Sequence, residues 1–197
     1  MKPNWIALLC APLLAAVSYC RQEDLSPAQK CRYITAADLA DPKAPAFQTY
    51  PAKKEQINTI PRLDLTSNPI ARTFRTVLRN QMAEGPNYAG HYRLAFWGCG
   101  SSCLMFAVVN LQNGKVITQE HIKSVDGVLL AADDFLSATE SEVWAFRYKA
   151  DSSLLVVLGA PDEDDSKKGA YYFVLKGETL RLIHATRVNK NCKNLPH

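Results

Sequence analysis

The 197-residue chain is 47% hydrophobic and 21% charged, with six cysteines and a formal charge of +4. That balance excludes a disordered or fibrous polymer, and the length suffices for one sizeable core. Basic residues are scattered apart from Arg72, Arg75 and Arg79, and the positive balance is modest, so composition makes no case for nucleic acid.

Lys2 is followed by an apolar run over residues 5–17 and by Ala16-Val17-Ser18, with small residues three and one before Tyr19. This pattern predicts a signal peptide over residues 1–18, too short for a transmembrane helix. No later run is long and charge-free enough to span a bilayer. The expected location is therefore the periplasm or the medium. Cys10 would leave with the leader, so Cys20, Cys31, Cys99, Cys103 and Cys192 would remain. An odd thiol is awkward in an oxidising compartment. Lipidation of Cys20 would restore even parity, whereas the bulky Tyr19 just before it argues against lipoprotein processing. A soluble chain and one anchored through Cys20 both stay open, and that anchor is the only membrane contact expected.

Ser26-Pro27 predicts a short helix running past Cys31 to about Tyr33. Prolines 42, 45, 51 and 61 then predict an extended arm laid over the body, pinned by Phe47 and Tyr50, with a flexible linker as the rival reading. The expected organisation is an N-terminal arm over residues 19–62 and one globular domain over residues 63–197. Its main helix is expected at about residues 69–84. Ser67-Asn68-Pro69 opens it, Gly85-Pro86 stops it, and Ile70, Phe74, Val77, Leu78 and Met82 recur at helical spacing. Arg72, Arg75 and Arg79 share a second face, read as solvated or as an anion contact.

From Gly90 the period switches to two. Alternation places Tyr92, Leu94 and Phe96 on one face and His91, Arg93, Ala95 and Trp97 on the other. Residues 104–109 form a continuous apolar run, and Asn113-Gly114 predicts a hairpin turn before residues 115–117. A short strand is expected over 128–132, and residues 137–142 read as a helical turn or a loop. Two more hairpins are expected, one over residues 142–158 and one over 170–184. The fold class is therefore α+β, a meandering antiparallel sheet of successive hairpins with one main helix packed on it.

Several of these residues recur in a family. Leu65-Thr66-Ser67-Asn68-Pro69, Arg72-Thr73-Phe74-Arg75, Gly85-Pro86-Asn87-Tyr88-Ala89-Gly90-His91-Tyr92 and Trp97-Gly98-Cys99-Gly100 before Cys103 follow one another, with Tyr148-Lys149-Ala150-Asp151-Ser152 and Ala170-Tyr171-Tyr172-Phe173 further on. In this the chain resembles a family of exported bacterial proteins with no assigned activity, over roughly residues 46–183. The resemblance implies an exported single domain and carries no reaction with it.

Cys99 and Cys103 have three residues between them and a strand before them. A thioredoxin-like pair has two and sits at a helix N-terminus. Zinc would need a second ligand pair beyond Cys99, Cys103 and a histidine such as His91 or His121. A small disulfide closing a tight loop is the remaining reading, with its glycines supplying unusual backbone angles. Its chain-entropy worth is about 2 kcal/mol, against about 5 kcal/mol for a link between Cys31 and Cys192. The long link would staple the fold, while the short one would fix a local shape. A nucleophilic Cys99 with His91 as base is excluded on a straight strand, where eight residues span about 26 Å. His91, Arg93 and Trp97 instead form a row suited to an anionic or planar group, although His91 also reads as bonding a neighbouring loop backbone. The acidic run at residues 162–165 lacks the spacing of a calcium loop and reads as a solvated hairpin tip. No phosphate loop, catalytic carboxylate pair or nucleophile elbow appears, and no cofactor or metal is expected.

The expected function is a non-enzymatic envelope binding protein using His91, Arg93 and Trp97 with the loop residues Gly98, Gly100, Ser101 and Ser102. Its partner would be a protein or a small anionic ligand. The alternative is an envelope enzyme or a metal- or redox-handling protein using Cys99, Cys103 and His91. A mainly structural envelope component is a third reading.

Overall fold

A computed structural model describes Ile34, residues 37–126 and residues 145–188. The expected leader, the helix from Ser26, the strand at 128–132, the segment at 137–142, and Cys20, Cys31 and Cys192 lie outside the described residues.

Helix formation follows its signals. The Asn68 side chain accepts from the Ile70 N–H at 2.9 Å, and Pro69 occupies the first turn, where it forfeits no helical bond. The expected single helix is two segments, α1 (Pro69–Thr73) and α2 (Arg75–Met82), jointed at Phe74, whose φ of −107° and ψ of 25° leave helical geometry. Ala71, Leu78 and Met82 form the buried stripe, and Gly85 ends the run with φ +81°.

Among the described residues, eight antiparallel strands make the sheet: β1 (Tyr92–Gly100), β2 (Cys103–Asn110), β3 (Val116–Ile117), β4 (Val125–Asp126), β5 (Phe146–Tyr148), β6 (Leu154–Pro161), β7 (Gly169–Lys176) and β8 (Thr179–Arg187). Their order is β1-β2-β4-β6-β7-β8, with β3 also on β2 and β5 also on β6. The architecture is thus α+β.

The two-residue β4 joins the halves at one end, pairing Val125 with Leu104 and with Pro161. At the other end β3 and β5 belong to separate halves. The halves fold towards one another there: the Tyr92 hydroxyl donates to the Gly177 carbonyl at 3.2 Å, and Asn113 and Lys115 reach Glu178 at 3.0 and 2.9 Å.

Three apolar layers result. Tyr88, Leu94, Phe106, Phe146, Leu155 and Phe173 belong to the inner core between the halves. Ala95, Trp97, Ala107 and Val109, on the opposite face of β1 and β2, pack under α1 and α2. Leu154, Val156 and Tyr172, on the opposite face of β6 and β7, pack under Phe47 and Tyr50 of the arm. This is why β2 and β6 read as continuous apolar runs, since both of their faces are covered.

Candidate functional site

The block at residues 87–92 is a joint between layers. Tyr88 pairs with Tyr92 across a tight turn in which Ala89 and Gly90 have φ of +46° and +87°. The turn's amides reach the loop before β6, Ala89 donating to the Lys149 carbonyl at 3.3 Å and Gly90 to that of Ala150 at 2.7 Å. A Cβ at Gly90 would lie 2.4 Å from the Lys53 carbonyl oxygen of the arm. The Tyr88 side chain is fully buried, and its hydroxyl donates to the Ser153 carbonyl. These residues hold backbone to backbone, and each has a structural duty.

The row expected at His91, Arg93 and Trp97 is not an open face. His91 stacks on Tyr92 with ring centroids 4.2 Å apart, and its Nδ1 lies 3.0 Å from Glu55 Oε1 of the arm. The other Glu55 oxygen accepts from Gln112 Nε2 at 2.7 Å. Arg93 donates to the Gly85 carbonyl at 3.2 Å and pairs with Glu84, the two residues that close α2. Trp97 is only 8% exposed beneath Phe74, with ring centroids 4.6 Å apart. The alternation assigns this face its parity correctly, but the helical segment lies across it. Of the contact surface expected there, Arg93 is a half-buried anchor and Trp97 a core residue.

What emerges from that cover is the end of the β1–β2 hairpin. Gly98, Cys99, Gly100 and Ser101 are exposed, Ser102 is half-buried, and Cys103 is buried. A disulfide joins Cys99 to Cys103 with their Cα atoms 5.1 Å apart. Gly100 at φ +156° and Ser102 at φ +65° turn the chain inside this ring, and the register slips between Gly98 and Gly100. Added Cβ atoms at Gly98 and Gly100 would meet nothing within 4 Å. The tip is thus a small covalent ring with bare backbone and serine hydroxyls at its surface.

Neither the redox nor the metal alternative gains a partner there. His91 is occupied by Glu55 at the opposite end of β1, and among the described residues no three His, Cys, Asp or Glu side chains converge in a metal-binding group. The acidic run belongs to a structured turn. Asp162 Oδ1 accepts from the Lys123 and Ser124 amides at 2.9 and 3.2 Å, and Asp164 caps the short turn Asp165–Lys167. Hydrogen bonds from Ser166 and Lys167 hold the Asp164 carboxyl down at about 2.

A second cluster was not legible in the sequence. Asp41 Oδ2 accepts from Thr186 Oγ1 at 2.9 Å and lies 2.7 Å from His184 Nε2, joining the arm to β8. Thr186 Oγ1 is also 3.4 Å from that same nitrogen. Because carboxylate and hydroxyl meet one ring nitrogen, the His184 ring does not relay a proton between them, as a nucleophilic triad requires. The cluster is a clasp. Its only sequence signal is the spacing of His184 and Thr186 along one strand, and Asp41 lies far upstream.

Set against protein-family models, curated proteins and solved structures, the chain matches none.

Proposed function

We propose that this chain is a non-enzymatic binding protein of the bacterial envelope and that the disulfide-closed tip over residues 98–103 is its contact surface. One observation carries the reading. β1 is buried or half-buried from Tyr92 to Trp97 and then runs out into solvent inside a covalent ring. A ring this small contributes about 2 kcal/mol by chain entropy, little beside the apolar layers beneath it, so its main effect is to fix a shape in advance of contact. The envelope location rests on the predicted leader, on the resemblance and on the oxidised cysteine pair, which suits an oxidising compartment. A protein partner is favoured over a small anion, because the arginine expected to bind the anion is engaged by Glu84.

The test places a photocrosslinking residue at Ser101, and at Glu163 as a control, in the full chain exported by its own host. A discrete adduct from Ser101 that is absent from Glu163 and is lost when Cys99 and Cys103 are both changed to alanine is the expected result. Adducts of equal yield from both positions, or from neither, would overturn the assignment.

A further inference from the structure

An antiparallel strand turns its amides alternately towards its neighbour and away from it. Among the described residues β1 ends the strand order and pairs with β2 alone of the strands, so every second residue offers an N–H and a C=O to the outside. The chain covers these units in turn. At Tyr92 the outer amide exchanges bonds with the Tyr88 backbone at 3.0 Å each way. At Leu94, the Asn87 side chain accepts from the N–H at 2.7 Å and donates to the C=O at 3.2 Å. At Phe96, Gln81 does the same, accepting at 3.2 Å and donating back. Both amide side chains thus stand in for a neighbouring strand and blunt an edge that would otherwise recruit another chain.

The parity that turns Leu94 and Phe96 outward turns Gly98 outward as well, and there, among the described residues, the cover stops. Gly98 is exposed, a Cβ on it would meet nothing within 4 Å, and the disulfide ring begins at the next residue. An edge protected residue by residue and then left bare at a glycine, beside a rigid ring, is matched by one chemistry: the main chain of an extended segment, whose own N–H and C=O complete the ladder.

We infer that the tip takes hold of its partner by strand addition, with an extended segment of a partner protein pairing with the outer edge of β1 at Gly98. This inference rests on the tip being the contact surface and adds how contact is made. Recognition is then largely through backbone, and the glycine serves by presenting no side chain to hold the incoming strand away.

The experiment uses the full, disulfide-intact chain and a phage-displayed library of linear peptides as the probe. In the free chain the Gly98 amide is expected to exchange with solvent far faster than that of Phe96. A selected peptide should slow that exchange. Its affinity should be about tenfold weaker for Gly98→Pro, which removes the outward donor at an edge position where proline is tolerated. Should Gly98→Pro fail to fold, N-methylating the peptide amide opposite Gly98 removes the matching donor from the other side and should weaken binding to the unaltered protein to a similar degree. The inference is overturned if the Gly98 amide is already protected in the free chain, if no linear peptide binds, or if neither the proline nor the N-methyl group weakens binding. The Ser101 crosslink reads the contact surface independently: an adduct there beside a failed edge test leaves the binding reading standing with side-chain recognition instead.

Discussion

At the scale of single residues, the conspicuous side chains of the central block are the ones the fold consumes. Composition and alternation mark His91, Arg93 and Trp97 as unusual, but their partners, Glu55, Glu84 and Phe74, are distant in sequence or lie on another element, and no local pattern announces such pairings. The glycines divide in the same way. Gly90, with φ +87°, backs onto the Lys53 carbonyl, whereas Gly177, with φ +60°, faces open space. Gly177→Ala should cost about 1 kcal/mol from backbone strain alone, and Gly90→Ala about 3 kcal/mol, since the arm must also move. Urea unfolding of the two variants measures the difference. Tyr88→Phe removes the hydroxyl that serves the Ser153 carbonyl and should cost about 1–2 kcal/mol in the same measurement.

At the scale of elements, the helix stop and start were legible because Asn68, Pro69 and Gly85 act locally. The tip disulfide was legible from spacing. β4 was not, because two residues have no periodicity and gain their pairing only from β2 and β6. Replacing Cys99 and Cys103 together by alanine should lower unfolding free energy by only about 2 kcal/mol and leave the near-ultraviolet signal of the buried aromatics in place. The arm's clasp behaves differently towards acid. The Lys43 amide, His184 and Thr186 hold the Asp41 carboxyl down at about 2, below its ordinary 3.8. A depressed carboxyl contributes its stabilisation above the ordinary value and loses it as pH falls towards the depressed one. Arm docking should therefore be intact at pH 5 and weaken between about pH 4 and pH 2, with Asp41→Asn loosening it at every pH. Hydrogen exchange over residues 41–52 reads this directly; protection unchanged at pH 2 would mean that the clasp does not hold the arm.

At the scale of the whole molecule, the layered cores were legible as continuous apolar runs, while the infolding of the sheet was not, since it depends on contacts such as Tyr92 with Gly177. Burial pushes the hydroxyls of Tyr88, Tyr92, Tyr148, Tyr171 and Tyr172 above their ordinary value. Above pH 10 the unfolded chain releases these protons and the folded chain keeps them, so stability must fall as pH rises. Tyr88 alone should contribute about 1.4 kcal/mol per pH unit. Tyrosinate absorbance should therefore rise together with loss of structure; ionisation completed while the circular dichroism stays native would contradict the buried hydroxyls. The same long-range closure orders events in time. Residue 41 waits for residue 184, residue 50 for residue 153, and residue 92 for residue 177. A chain emerging N-terminus first cannot close the Asp41 clasp until the last strand appears. Such non-local topologies fold on the order of milliseconds to seconds, and for that interval the arm and the two halves of the sheet stay unlatched, open to a protease that the closed molecule would turn away.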